Sequence, residues 1–251
     1  MPAKKLLILG GTGEAASLAK RVVAQFGDRL EVTVSYSGVT GHQPELPCNV
    51  RVGGFGGAHG LITYLEKEGV SYLIDATHPF ADKISQHVYV AAQTLGLPVL
   101  VFKRPPWVAQ PKDRWLEVDN MDRAAEILED LKAAAFLTIG IKELHKFADL
   151  PDVPLLVRLV NESSDPLPLA NYQTVIGRPP FSVEQERKLI QDYKIRVLVT
   201  KNSGGEQTTS KLIAAREEGI SVIMINRPPA EPLEETYNFE DAVAWLVNRG
   251  A

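Results

Sequence analysis

The 251 residues of this chain include 27 Lys and Arg against 31 Asp and Glu, for a formal net charge of -4, and 45% of them are hydrophobic. That is enough apolar chain for one large core or two ordinary ones, and the slight acidic balance excludes the basic field on which nucleic-acid binding depends. A single cysteine, Cys48, excludes a disulfide within the chain and argues against a thiolate metal site, so no metal centre is expected.

The opening MPAKKLLILGG carries an apolar run of only four residues before its glycines, too short for a signal peptide or a membrane span. A cytoplasmic protein with no membrane partner is the expectation. Short β-rich runs predict strands at Lys5–Leu9, Glu31–Tyr36, Asn49–Val52, Ser71–Asp75 and Pro98–Phe102. Amphipathic stretches between them predict helices near Glu14–Phe26, Ala58–Lys67 and Ala81–Leu95. In the last of these, Ile84, Val88, Ala91, Ala92 and Leu95 share a face, and Gly96 is placed to end it.

The alternation then restarts. Strands are predicted at Trp115–Val118, Phe136–Ile139, Leu155–Leu159, Ile195–Thr200 and Ser221–Ile225, and helices at Met121–Ala133, Ser182–Asp192, Thr209–Glu217 and Phe239–Asn248. KRPPWVAQPKDR (103–114) holds three prolines and interrupts the pattern. It divides the chain into an expected dinucleotide-binding domain, 1–108, and an expected α/β substrate-binding domain, 109–251. The segments AAQTLGLPVLVFKRPP (91–106) and AAREEGISVIMINRPP (214–229) align without a gap, each a helix end, a glycine stop, a buried strand and Arg-Pro-Pro. The expected fold class is therefore α/β: two doubly wound parallel-sheet domains whose loops share a cleft.

Gly11-Thr12-Gly13-Glu14-Ala15-Ala16 reads G-x-G-x-x-A, between a predicted strand and a predicted helix. That context is the one a Rossmann-like dinucleotide site requires. Gly11 permits a tight turn, Gly13 lets backbone approach a pyrophosphate, and Ala16 allows close helix–strand packing. Free N–H groups and the positive helix end favour the anion, so Gly10, Gly11, Thr12, Gly13, Glu14 and Ala15 are candidate cofactor contacts. The bland alternative is a glycine turn that serves packing alone. The second strand ends in Ser35, Tyr36 and Ser37, without the carboxylate that binds the ribose 2′-hydroxyl of NAD. Ser35 and Ser37 can donate to a 2′-phosphate, which favours NADPH. Arg51 can approach the same group, but its simplest reading is a solvated strand residue.

DATHPFA (75–81) follows the fourth strand, at the edge of a parallel sheet where ligands bind. Asp75 can bond loop amides, and Thr77 or His78 can cap a helix begun by Pro79. His78 is also a candidate proton donor. In the second half, TKNSGGEQTTSK (200–211) brings Lys201, Ser203, Gly204 and Gly205 into one loop, a cation, a hydroxyl and flexible amides suited to an anionic ligand. The same glycines can serve a plain turn before a helix capped by Thr208 or Thr209. No Walker A spacing is present, which disfavours ATP. Arg104, Arg178 and Arg227 stand beside prolines and can each grip a carboxylate, or form ordinary surface ion pairs. Trp107 can cover a flat ligand or pack at a domain boundary. His42, His59, His87 and His145 have no metal-ligand spacing. The Tyr-x-x-x-Lys pair, G-x-S-x-G and H-E-x-x-H are all missing.

The chain resembles the precorrin-6A reductase family of cobalamin biosynthesis. The matching pieces are ILGGTGEA (8–15), GGFGG (53–57), DATHPFA, RPPW (104–107), PFSVEQE (180–186), TKNSGG (200–205) and the ending KLIAA (211–215) with VIMINRP (222–228). The resemblance implies an NADPH-dependent oxidoreductase acting on a double bond of the precorrin-6A or cobalt-precorrin-6A macrocycle. On this reading Gly53, Gly54, Thr77 and His78 join the cofactor contacts. An anionic tetrapyrrole is the partner, met by Arg104, Trp107, Lys201, Ser203, Gly204, Gly205 and Arg227, and Lys201 or His78 delivers the proton. Two alternatives stay open. A short-chain-like NADP reductase or epimerase of a small substrate suits GGTG but lacks its tyrosine–lysine pair. An NADPH-sensing module suits the fingerprint but leaves the cationic glycine loop without a purpose.

Overall fold

A computed structural model describes residues 3–38 and 45–251. In chain order its elements are β1 (Lys4–Leu9), α1 (Gly13–Phe26), β2 (Leu30–Tyr36), β3 (Asn49–Val52), α2 (Ala58–Glu68), β4 (Tyr72–Asp75), α3 (Asp82–Leu95) and β5 (Val99–Phe102). They continue with β6 (Trp115–Val118), α4 (Met121–Leu131), β7 (Ala135–Leu137), β8 (Leu155–Leu159), β9 (Tyr172–Ile176), α5 (Val183–Asp192), β10 (Val197–Lys201), α6 (Ser210–Glu217), β11 (Ser221–Ile225), β12 (Glu234–Thr236) and α7 (Phe239–Asn248). A 3-10 turn, Ile141–Phe147, follows β7 where a full helix follows β1.

The strands form two six-stranded sheets, ordered β12-β5-β4-β1-β2-β3 and β6-β11-β10-β7-β8-β9, and every pair within them is parallel. Parallel strands are covered on both faces, hence the fully buried runs at β4, β5 and β7. In the first sheet, Ile8 and Val34 pack with Leu18 and Val22 of α1 and with Trp245 and Leu246 of α7. Leu7 and Leu9 face the other way, onto Leu61 and Leu65 of α2 and Val88 of α3. Alanines at 15, 16 and 19 bring α1 close to the sheet. In the second sheet, Leu198, Val222 and Met224 pack with Ile190 and Leu212.

The two compact units are 1–105 with 228–251, and 106–227. This corrects the expected division at 108 and 109. β12 adds beside β5, and α7 buries Ala242, Trp245 and Leu246 in the first unit's core, so the last segment leaves the second unit and returns to the first. The strand that follows β5 in sequence, β6, instead lies beside β11. Both crossings fall inside the repeated Arg-Pro-Pro, at 105–106 and 227–228. Proline there holds the chain extended and offers no donor to continue a ladder. The two echoing segments occupy matching places: β5 and β11 each lie fifth in their sheet counted from β3 and β9, after helices followed by Gly96 and Gly219, both at positive φ.

Candidate functional site

The glycine turn has the expected geometry. Gly10 donates to Ser35 O at 2.9 Å, and Gly11 takes φ +135°, a conformation that costs a side chain dearly. A Cβ on Gly11 would meet no protein atom within 4 Å, so it would occupy open space in front of the turn. Thr12 caps α1: its Oγ1 accepts from Ala15 N at 3.1 Å and donates to Ala76 O at 3.1 Å, tying the turn to the end of β4. Gly13 and Glu14 open the helix, so its unpaired N–H groups border that space.

The ends of β2 and β3 lie on one flank. Ser35 and Ser37 were expected to act alike, yet Ser35 is 4% exposed and Ser37 stands in solvent. Arg51 Nη1 donates to Ser35 Oγ at 3.0 Å and to Gly53 O, and Nη2 donates to Gly54 O at 2.8 Å. Gly53 and Gly54 therefore turn their carbonyls to Arg51, and Gly53 adopts φ +123°. Burial, then the neighbouring Cys48, pushes the Tyr36 phenol above its usual range. His42 lies outside the described residues. Among those described, no group of three His, Cys, Asp or Glu side chains is placed to hold a metal ion.

β4 lies on the other flank. Asp75, 2% exposed, accepts from Thr77 N (3.0 Å), Thr77 Oγ1 (2.6 Å) and Ser85 Oγ (2.7 Å). It folds the loop back on α3, as expected for a carboxylate bonding loop amides. The expected capping by Thr77 or His78 does not occur. α3 starts at Asp82 behind Ala81, with no side-chain cap, because Thr77 is spent on Asp75 and His78 Nδ1 accepts from Phe80 N at 3.3 Å. That bond leaves Nε2 as the protonated nitrogen of the neutral ring. Asp75, Thr77, His78, Asp82, Lys103 and the 228–233 segment line a cavity beyond β4 and β5. Lys103 and 228–233 went unforeseen, since only the return of the chain to this unit brings 228–233 there. Arg104 Nη1 stands 3.3 Å from both carboxylate oxygens of Glu14, so this candidate substrate contact sits against the start of α1, beside the glycine turn.

In the second unit the structure gathers Trp107, Ser203, Gly204, Gly205 and Arg227 at the end of β10, where Lys201 is the last strand residue. Trp107 Nε1 donates to Gly205 O and Thr209 Oγ1, both at 3.0 Å, and Lys211 Nζ lies 5.0 Å from its ring centre. Arg227 donates to Asn202 O at 2.9 Å and to Ser203 O at 3.2 Å. Asn202 was passed over in the sequence, and it organises the loop: its side chain accepts from Trp107 N at 2.8 Å and donates to Trp107 O at 3.2 Å. Its place between Lys201 and Ser203 in the quoted motif was the available signal. α6 begins after Thr209 with no side-chain cap, since Thr209 Oγ1 donates to Gly205 O at 2.8 Å. Arg178 is elsewhere, donating to Asn161 Oδ1 at 2.6 Å.

A family model described as "Precorrin-6x reductase CbiJ/CobK" matches residues 5–247. The chain is 41% identical over 247 residues to a precorrin-6A reductase of Rhodobacter capsulatus, covering 98% of this chain and 97% of that one. It is 30% identical to a cobalt-precorrin-6A reductase of Priestia megaterium, covering 97% and 98%. A solved structure titled CobK precorrin-6A reductase superposes with a TM-score of 0.92 at 41% identity, covering 99% of this chain and 98% of that one. On the match from residue 5 to residue 247, the chain belongs to the precorrin-6x reductase family.

Proposed function

We propose that this protein reduces one carbon–carbon double bond of the precorrin-6A macrocycle with NADPH, giving the precorrin-6B form on the way to cobalamin. The glycine turn carries this reading. Gly11 at φ +135° faces open space that a Cβ would fill, beside the capped start of α1, and that combination suits a pyrophosphate. When bound, NADPH supplies a hydride to one carbon of the bond, a proton reaches the other carbon, and the dinucleotide leaves oxidised.

The chain's own residues have the remaining tasks. Gly10, Gly11, Thr12, Gly13, Glu14 and Ala15 form the phosphate turn, with Ser35, Ser37, Gly53 and Gly54 on one flank and Thr77 and His78 on the other. The β2 and β4 ends stand on opposite sides of β1, so each half of a dinucleotide has its own flank. Arg104, Trp107, Lys201, Ser203, Gly204, Gly205 and Arg227 meet an anionic macrocycle through cations, amides and an indole. Lys201, at the end of β10, or His78, in the cavity wall, gives up the proton. Named relatives for the metal-free substrate reach 42% identity against 30% for the cobalt-bearing one, which favours precorrin-6A itself. A cytoplasmic location goes with this reading, since the reductant is a soluble dinucleotide.

The test mixes protein, NADPH and precorrin-6A and follows reduced-nicotinamide absorbance through one turnover. One NADPH consumed per macrocycle is expected. Binding without consumption would leave a sensing module instead. In the same assay Lys201→Ala or His78→Ala should slow hydride transfer by about 10²-fold or more, and unchanged rates in both remove these residues from the proton's path.

A further inference from the structure

We propose that Arg51 reads the ribose 2′-phosphate and thereby sets the preference of this protein for NADPH over NADH. The proposal rests on the dinucleotide reading given above and adds to it a residue that the serines at the end of β2 do not account for.

Placement comes first. Ser35 and Arg51 are register partners on β2 and β3. Gly10 N bonds Ser35 O, and Gly53 N bonds Tyr36 O at 2.8 Å, so the ends of β1, β2 and β3 stand in a row at one edge. The adenosine ribose lies over the end of the second strand in a fold of this order. Arg51 bends forward from β3 to the Gly53 and Gly54 carbonyls, and so reaches that edge.

The guanidinium is also held. Its central carbon lies over the Phe55 ring, 4.0 Å from the ring centre, and 5.1 Å from the centre of Tyr64. Three of its five N–H donors are engaged, to Ser35 Oγ, Gly53 O and Gly54 O, and two are left. All three acceptors are neutral. Among the described residues no carboxylate stands within ion-pair distance of Arg51.

The second unit shows what a purely structural version of this device looks like. Gly177 N bonds Leu159 O at 2.9 Å, as Gly53 N bonds Tyr36 O, and the Arg158 guanidinium lies 4.0 Å from the centre of Phe181. There Glu186 closes the charge with two bonds of 2.7 and 2.8 Å. Glu186 is the fourth residue after the Ser182 cap of α5, and the fourth residue after the Gly57 cap of α2 is Leu61, fully buried. Arg158 stands on β8, at the place of Ser35, one strand over from the place of Arg51, so the two units carry a ring-stacked cation on neighbouring strands of the same edge. One unit has a carboxylate built in for it and the other has none. A half-buried guanidinium with donors to spare calls for an anion. A ribose phosphate at the end of β2 supplies it, where Ser35, Tyr36 and Ser37 offer no carboxylate to repel it.

The experiment measures binding by calorimetry, apart from turnover, with 2′,5′-ADP against 5′-AMP and NADPH against NADH. It uses the full chain and its Arg51→Leu and Arg51→Lys variants. Wild type should prefer the 2′-phosphorylated member of each pair. Arg51→Leu should weaken 2′,5′-ADP and NADPH roughly ten- to hundredfold while 5′-AMP and NADH hold within about twofold. Arg51→Lys, which keeps the charge but loses the fork, should fall between, and it carries the test if the leucine variant does not fold. Unchanged discrimination in the variants overturns the proposal. So does equal weakening of both members of a pair, which would mean that Arg51 only shapes the Gly53–Gly54 loop. A wild type that binds none of the four ligands overturns the dinucleotide reading itself.

Discussion

Arg158 and Glu186 are buried together, with side-chain exposures of 11% and 1%, and their bidentate contact leaves neither charge uncompensated. Phe136 and Phe181 close over the guanidinium, 4.7 and 4.0 Å from its carbon. Removing one partner strands the other charge, so Glu186→Ala should cost about 3–5 kcal/mol in urea unfolding. Arg158→Met with Glu186→Leu should recover most of that, because a well-packed apolar pair often does as well as the ion pair. A single-variant loss below about 1 kcal/mol would mean that water reaches the site and screens the pair, as at a surface bridge. Nothing local in the sequence announces this pair: Arg158 is a charge inside an apolar strand and its partner is 28 positions away. Gly11 is the opposite case. Its neighbours alone specify the turn, and the structure gives it the conformation that glycine permits.

At the scale of elements, α2 shows how a local rule is overruled. A glycine inside an exposed helix loses about 1 kcal/mol against alanine, so Gly60→Ala should stabilise on propensity alone. A Cβ at Gly60 would overlap the Phe55 carbonyl, and the backbone of the GGFGG loop would have to move. The clash is the larger effect: Gly60→Ala should destabilise by about 1–3 kcal/mol and weaken NADPH binding by shifting Gly53 and Gly54. Thermal melting and calorimetry decide it, and a higher melting temperature with intact binding would show that the loop yields freely. The strands foreseen from sequence include every fully buried one, since an apolar run bounded by glycine or proline is a strong local mark. β9 and β12 escaped notice. Their residues are mostly exposed or half-exposed edge positions, so neither alternation nor a continuous apolar run marks them. Predicted helix starts at Ser182 and Thr209 fall on the cap residues, one position before the helices themselves.

At the scale of the whole molecule, the assignment of 228–251 to the first unit has a direct test. A chain ending at Arg227 keeps every element of the second unit but strips β12 and α7 from the first. Burying Trp245 and Leu246 stabilises by about 1.5–3 kcal/mol each, against a total of only 5–15 kcal/mol for a typical domain. The truncated chain should therefore lose amide protection in β1, β2 and β4 and lose NADPH binding, while β7, β8 and β10 stay protected in hydrogen exchange. The reverse pattern would return the last segment to the second unit.

The sequence by itself determined the alternation of strands and helices, the glycine turn with its threonine cap, the loops at the ends of β4 and β10, and the family they resemble. These are short-range properties, written in periodicity, caps and turn residues a few positions apart. Only the tertiary structure decided which sheet each edge strand enters, which of Ser35 and Ser37 faces solvent, that Arg104 meets Glu14, and that Arg158 has a carboxylate where Arg51 has none. Those outcomes depend on segments far apart in the chain meeting, and on the desolvation of charges that such meetings bring about.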